Sequence, residues 1–511
     1  MKTLCIGNQT RDTDDRTTQL ATVNHGLLTD KNYVPSKDGH WHTSLADMDY
    51  NSLLKLAQRF DTVHFFDQPQ EDGSNIAAKV YKLYQELLDC VEVTCDNQTM
   101  FDIEKYWKDL FKTNESVCVY PFIMDVQENG TSTLCGISGV TVTDKERETI
   151  KKNMLAGIKN KHCDACHALE GKPDGFETRT LKYGLDNSPR IFESKDWISR
   201  LKLRTIEDLP KIDRPYIYDV RPSSMCNIAC RTCIPYYSTT IDKEFKNLTM
   251  PVGLERVTYR QRDSKSTFNN LPKEHLEDPS TGVYVMGGEP LIMPEFIKFL
   301  RDCVDRKTTD FDLSFSSNAT KISEPLLDIL DNFSKVNFSM SLDGIGCVND
   351  YIRWGSNFDK CLENIHRAQA RGHTISFISV VSIYNIMSLD KIMEFLSTEF
   401  TSSVVQLQPA NFQNGIMSPY LYPDSRAVLP VLERCKETSC YNSYSRNTST
   451  LIDSIQRSAY YEVYQNHPQS DNKKQSYELF FKYNDMLDAS RNSKLADYIP
   501  ELERLRNYYT T

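Results

Sequence analysis

The sequence predicts an α/β protein of several units with a parallel sheet at its centre. From about residue 212 to 410, short apolar strands alternate with stretches of helical periodicity, the pattern of a parallel sheet joined by crossover helices. At 511 residues the chain exceeds one typical domain, so two to four units are expected. Hydrophobic residues make up 39% of it, which is modest but enough for real cores.

Residues 1–100 read as a small N-terminal α/β unit. Thr3–Gly7 and Thr62–Phe66 are candidate strands. Asp47–Phe60, with Leu53, Leu54, Leu56 and Ala57, is a candidate helix. Ile76, Val80, Leu83, Tyr84, Leu87 and Leu88 recur at the spacing of a second, amphipathic one. The unit has no GxGxxG or Walker loop and is read as a docking or substrate-recognition element. Residues 101–200 form a small Cys-rich β-hairpin module, with Gly130 in a hairpin turn, followed by a polar connector that includes Lys195–Lys211.

The central region, 212–410, offers six strands: Tyr216–Val220, Tyr284–Met286, Leu313–Ser316, Val336–Ser341, Ile375–Val380 and Val404–Leu407. Helices at Pro294–Cys303, Glu324–Phe333 and Asp359–Arg371 fit between them. Tyr237–Ser280 is longer than an ordinary connection, and carries Arg260, Arg262, Asp263 and Lys265. It reads as a first crossover helix plus an insertion able to cover a site. Residues 411–511 form a helical C-terminal tail, with Tyr477–Leu487 and Leu495–Tyr508 as its better helices.

Charge narrows the function. With 60 Lys+Arg against 70 Asp+Glu, the net charge of −10 argues against nucleic acid or an anionic membrane as a general partner. No apolar run approaches a membrane span, and the one in MKTLCIGNQTRD is too short for a signal peptide. The 15 cysteines are therefore expected in a reducing compartment, the cytoplasm, where spaced cysteines bind metal or catalyse more often than they pair.

The string MCNIACRTC places Cys226, Cys230 and Cys233 at CxxxCxxC spacing. Three thiolates this close suit three irons of a cuboidal 4Fe–4S cluster and leave the fourth iron open to a ligand. A zinc site ordinarily needs four protein ligands. Downstream, after a predicted strand, stand Gly287, Gly288, Glu289 and Pro290. Triad and GGEP in this order resemble the radical S-adenosylmethionine (SAM) superfamily.

That resemblance implies a partial (β/α)6 barrel over 212–410. It implies a 4Fe–4S cluster on Cys226, Cys230 and Cys233, with SAM chelating the open iron. The reduced cluster of such enzymes splits SAM into methionine and a 5′-deoxyadenosyl radical, which takes a hydrogen atom from the substrate. GGEP then faces the SAM ammonium group, with the Glu289 carboxylate helping. Asn318 in SFSSNAT would end near the ribose. Ser341 and Asp343 in SLDG resemble a SAM-contacting strand end, and Arg353 in NDYIRWG matches an arginine suited to the SAM carboxylate. Asn385 is a weaker candidate. Where the superfamily commonly has an aromatic residue before the third cysteine, this chain has Thr232. Arg231 either screens cluster charge or is solvated. A reductase such as flavodoxin or ferredoxin is the implied partner, and a peptide or small molecule the implied substrate.

A second set, Cys118, Cys135, Cys163 and Cys166, reads as CX11GX4C, a gap, and CxxC. Four thiolates close a site for zinc or for a fully ligated 4Fe–4S cluster, and spacing alone does not choose. The arrangement is similar to the twitch or SPASM auxiliary-cluster modules of radical SAM enzymes, which implies a second 4Fe–4S cluster. Those modules usually follow the barrel, whereas this one precedes it. His162 and His167 flank the CxxC as solvated or capping residues or as alternative ligands, and Glu170, Gly171 and Arg179 shape the loop after it. Cys435 and Cys440 read as ordinary thiols, and Cys5, Cys90, Cys95, Cys303, Cys347 and Cys361 as core residues. The rival reading is a non-catalytic iron–sulfur electron-transfer protein or a zinc-stapled binding protein.

Overall fold

A computed structural model shows two compact units, Met1–Val117 with Asp196–Lys211, and Cys118–Lys195 with Ile212–Thr511. The described residues are 3–6, 41–43, 62–65, 92–95, 118, 120–128, 130–135, 140–164, 206–254, 267–401, 403–410, 415–442, 448, 451–456, 458–459 and 471–509. The helices expected at Asp47–Phe60 and over Ile76–Leu88 lie outside them, as do Cys90, Cys166, His167, Glu170, Gly171, Arg179 and the basic stretch Arg260–Lys265.

In the first unit, strands β1 (Thr3–Ile6), β2 (Trp41–Thr43), β3 (Thr62–Phe65) and β4 (Glu92–Cys95) form one sheet in the order β2-β1-β3-β4. Every pairing in it is parallel. Strands β2 and β4 are too short to leave a periodic trace in the sequence.

The second unit is built on an eight-stranded sheet. A hairpin, β5 (Met124–Glu128) and β6 (Thr131–Thr133), turns at Gly130, whose φ of 74° a residue with a side chain seldom adopts. Then come β7 (Ile217–Arg221), β8 (Gly282–Val285), β9 (Asp312–Ser317), β10 (Lys335–Ser341), β11 (Thr374–Val381) and β12 (Val404–Pro409). The order is β12-β11-β10-β9-β8-β7-β5-β6, parallel except for the β5–β6 hairpin. The six expected central strands are all present. The Cys-rich hairpin is not a detached module: β5 pairs in parallel with β7 and extends the same sheet.

The helices of this unit are α1 (Asp144–Leu155), α2 (Thr239–Lys246), α3 (Pro294–Arg306), α4 (Glu324–Leu330), α5 (Cys347–Ile352), α6 (Phe358–Ala370), α7 (Leu389–Glu399) and α8 (Ser425–Lys436). The tail adds α9 (Asp471–Arg491), α10 (Leu495–Tyr498) and α11 (Pro500–Arg504). The single helix expected over Leu495–Tyr508 is thus two, divided at Ile499 because Pro500 starts a new first turn.

Alternation along the strands sorts their side chains. Val283, Val285, Leu313, Phe315, Val336, Phe338, Met340, Ile375 and Phe377 belong to the hydrophobic core shared with the helices. The intervening residues, Tyr284, Ser314, Ser316, Asn337, Ser339, Ser341 and Ser376, point to the opposite face. Polar atoms on that face pair across strands, Tyr284 with Ser316 and Ser339 with Ser376. A fully buried parallel sheet would read as continuous apolar runs; here one face is apolar and packed, and the other is lined with hydroxyls. Cys303 and Cys361 are buried as expected, and Cys435 and Cys440 are buried too, but Cys347 is exposed, because it opens α5 at a strand-to-helix loop and not within the core.

Candidate functional site

The candidate residues collect at one end of the sheet. The triad loop follows β7, GGEP follows β8, Asn318 follows β9, and Ser341 and Asp343 end or follow β10. Functional residues of parallel α/β folds lie at the carboxyl ends of strands. Pairing between β7 and β8 continues past both strand ends: Met286 donates to Val220, Gly288 to Ser223 at 3.0 Å, and Glu289 to Met225 at 2.7 Å. GGEP therefore runs backbone to backbone along Ser223–Met225. A Cβ on Gly287 would come within 2.5 Å of the Ser223 carbonyl, and one on Gly288 would overlap the Met225 carbonyl. Gly287 also holds a φ of 149°. Gly288→Ala is expected to push the two loops apart at a cost at or above the ~1–3 kcal/mol of an overpacked core. A thermal melt checks it, and an unchanged Tm would contradict this close approach.

The triad loop is stitched on its other side to the segment after α5. Ala229 donates to Trp354 and Arg231 to Ile352, both at 2.7 Å, with Arg353 between them. Cys226, Cys230 and Cys233 stand close enough to influence one another. Burial first, then Cys230, pushes the Cys226 thiol up to about 11. Burial, then Cys230 and Cys226, raises Cys233 further, and burial raises Cys230. Three half-buried thiols in one short loop are the donor type that iron holds as thiolates.

Arg353 is a buried positive charge that acts on all three cysteines. Its Nη1 pairs with Asp343 at 2.9 Å, and its buried Nε has no hydrogen-bond partner. Burial opposes its charge, but Cys230 and Asp343 outweigh that and raise its pKa. Asp343 also accepts from the Val380 N–H at 2.7 Å, and Asn385 binds the Asp343 carbonyl at 2.8 Å. Asn385 thus braces the Asp343 loop against β11. Ser341 is half-buried on the hydroxyl face.

Glu289 is buried, and its carboxylate is occupied by the protein. It accepts from the Asn318 N–H at 2.6 Å, the Ser317 hydroxyl at 2.9 Å and the Leu291 N–H at 3.1 Å. Burial raises its pKa to about 7 against the pull of these donors. It ties the β8 loop to the end of β9. Asn318 reaches the triad: its amide nitrogen lies 3.9 Å from the Cys226 sulfur and donates to Asn227 at 3.0 Å. Asn227, overlooked in the sequence, in turn donates to Thr320 at 2.8 Å.

Arg231 is neither solvated nor aimed at the cysteines. It is fully buried, stacks over Tyr351 at 3.6 Å, and donates to Asp488 at 2.6 Å, Asn484 at 3.1 Å and Ser493 at 3.0 Å. The side chain between the second and third cysteines anchors α9. Sequence reading missed this because its partners lie more than 250 residues away.

Of the second set, Cys118 and Cys135 are buried on either side of the hairpin, and Cys163 lies half-buried in a short turn capped by Asn160. Cys166 lies outside the described residues.

By donor type the site suits a cuboidal cluster: three half-buried thiols in one short loop, a closely apposed glycine loop, and a buried arginine whose Nε has no hydrogen-bond partner. Residues 220–396, which include the triad and GGEP, match the family model described as Radical SAM superfamily. An uncharacterized protein of Methanothermobacter thermautotrophicus is 27% identical over 180 residues, 34% of this chain and 60% of that protein. Among solved structures, Streptococcus suis SuiB bound to S-adenosylmethionine matches at 14% identity with a TM-score of 0.32, covering 50% of this chain and 58% of that one. The anSMEcpe protein with bound AdoMet matches at 14% identity and a TM-score of 0.32, covering 56% of this chain and 97% of that one.

Proposed function

We propose that this protein is a radical SAM enzyme. One observation carries the reading: three half-buried thiols, an apposed glycine loop and a partly unpaired Arg353 converge at the carboxyl ends of β7–β10. Cys226, Cys230 and Cys233 would hold a 4Fe–4S cluster, with GGEP, Asn318, Ser341, Asp343 and Arg353 as the surrounding SAM-binding residues. When bound, the cluster supplies an electron that cleaves SAM, and SAM supplies the agent of hydrogen abstraction. Arg353 offers an Nε donor suited to a carboxylate, with Asp343 fixing the guanidinium. The backbone clamp between GGEP and Ser223–Met225 keeps the loops in register, and Glu289 holds them to β9. The hydroxyl-lined face of the sheet suits a polar substrate, a peptide or a small molecule. A flavodoxin or ferredoxin is the electron donor this reading expects, and the reducing cytoplasm its compartment.

The test is SAM turnover. Anaerobically purified, iron-loaded protein with dithionite and SAM is expected to release 5′-deoxyadenosine, and Cys226→Ala is not. Full iron loading without any 5′-deoxyadenosine would favour an electron-transfer protein, and zinc in place of iron a stapled binding protein.

The proposal includes a second cluster on Cys118, Cys135, Cys163 and Cys166. The hairpin turn at Gly130, with buried cysteines before β5 and after β6, supports it. Cys118→Ala is expected to lose up to about four irons per chain, the content of one such cluster. Iron analysis that finds no loss relative to the parent protein would remove the auxiliary cluster from the account.

A further inference from the structure

A second arginine, from the far end of the sequence, packs against elements that hold the triad loop. Arg491 closes α9, and its side chain is 2% exposed. Nε and Nη2 donate to the Glu244 carboxylate on α2, at 2.8 and 2.7 Å. The guanidinium carbon lies 5.6 Å from the centre of the Trp354 ring, and the Trp354 carbonyl accepts from Ala229 inside the triad loop. Nη1 is buried with no hydrogen-bond partner.

Both neighbours of Arg491 are themselves tied to the triad. Helix α2 begins beside Cys226, whose carbonyl accepts from the Thr240 hydroxyl at 2.6 Å. One turn before Arg491, Asp488 holds Arg231 between the second and third cysteines. The positive charge is therefore held between Glu244 on α2 and the Trp354 ring, and both α2 and Trp354 bind the triad loop directly.

We propose that Arg491 is a positioning residue of the cluster site, placing a permanent positive charge behind the triad loop that favours the reduced, more negative state of a cluster held there. Glu244 sets its strength by partial neutralisation. The effect is purely electrostatic: one electron arrives from the external donor, no bond forms or breaks, and the guanidinium keeps its protons. The inference rests on the triad being a cluster site.

The experiment is a redox titration of the iron-loaded full chain, followed by electron paramagnetic resonance. Arg491→Met is expected to lower the midpoint potential, and Glu244→Gln, which leaves Arg491 un-neutralised, to raise it. Each shift should amount to about a tenfold change in the reduction equilibrium, about 59 mV for one electron. Arg491→Lys, which keeps the charge, should remain near the parent value. A merely structural role would not give shifts of opposite sign, so two shifts in the same direction, or none, overturn the proposal. If Arg491→Met takes up no iron, Glu244→Gln decides: an upward shift supports the proposal and an unchanged potential overturns it. A parent protein with no cluster overturns the enzyme reading itself, and this inference with it.

Discussion

Cys230→Ala is expected to leave the barrel without its cluster and to reduce 5′-deoxyadenosine formation to background. Cys230 is the middle member of the triad, lies beside Arg353, and feels the charge of Arg491. Two remaining thiolates cannot hold three irons, so the loss is of the site and not of a fraction of the rate. The fold should survive. Removing one sulfur from a half-buried position costs about 1 kcal/mol or less in transfer and cavity terms, a small part of a domain's stability. Circular dichroism and iron analysis on one sample separate the two effects. A Cys230→Ala protein that keeps parental iron and activity would exclude the triad as ligand set.

Arg231→Met should be the most damaging single change to stability away from the cysteines. It leaves the Asp488 carboxylate inside the protein with donors from Tyr351, Asn484, Ser493 and Leu495 but without its counter-charge. Breaking a buried ion pair by removing one partner costs about 3–5 kcal/mol, which lowers the Tm by roughly 4–6 °C in a unit of this size. The double variant Arg231→Met/Asp488→Leu should recover part of the loss, because no lone charge remains. Since Arg231 lies between Cys230 and Cys233, the single variant should also bind iron poorly after α9 is released. A loss below ~1 kcal/mol would show that α9 is held by other contacts.

The six central strands were legible for a local reason. Strings such as SFSS and NFSMS alternate between an apolar face packed under helices and a hydroxyl face, and a period of two marks a strand. The hairpin was legible from Gly130, but its pairing with β7 was not, because about ninety residues separate the paired positions and no local signal sets that register. The same divide runs through the site. Triad and GGEP announce themselves by residue type and spacing. Whether Glu289 faces a ligand or the end of β9 depends on donors supplied by Ser317 and Asn318 from another strand. Arg231 illustrates the limit most clearly. An arginine inside a cysteine motif reads as solvent-facing or as a cluster counter-charge, and only the docking of α9 makes it an interior anchor. Arg491 and Glu244 carried no motif at all, and their pairing exists only in the folded chain.

The measurement closest to the central claim is the electron paramagnetic resonance spectrum of the reduced, oxygen-free protein before and after SAM is added. A cluster held by Cys226, Cys230 and Cys233 with one open iron should give a reduced 4Fe–4S signal that SAM alters and that disappears in Cys230→Ala. A protein without that signal, or with one that saturating SAM leaves unchanged, would contradict the account.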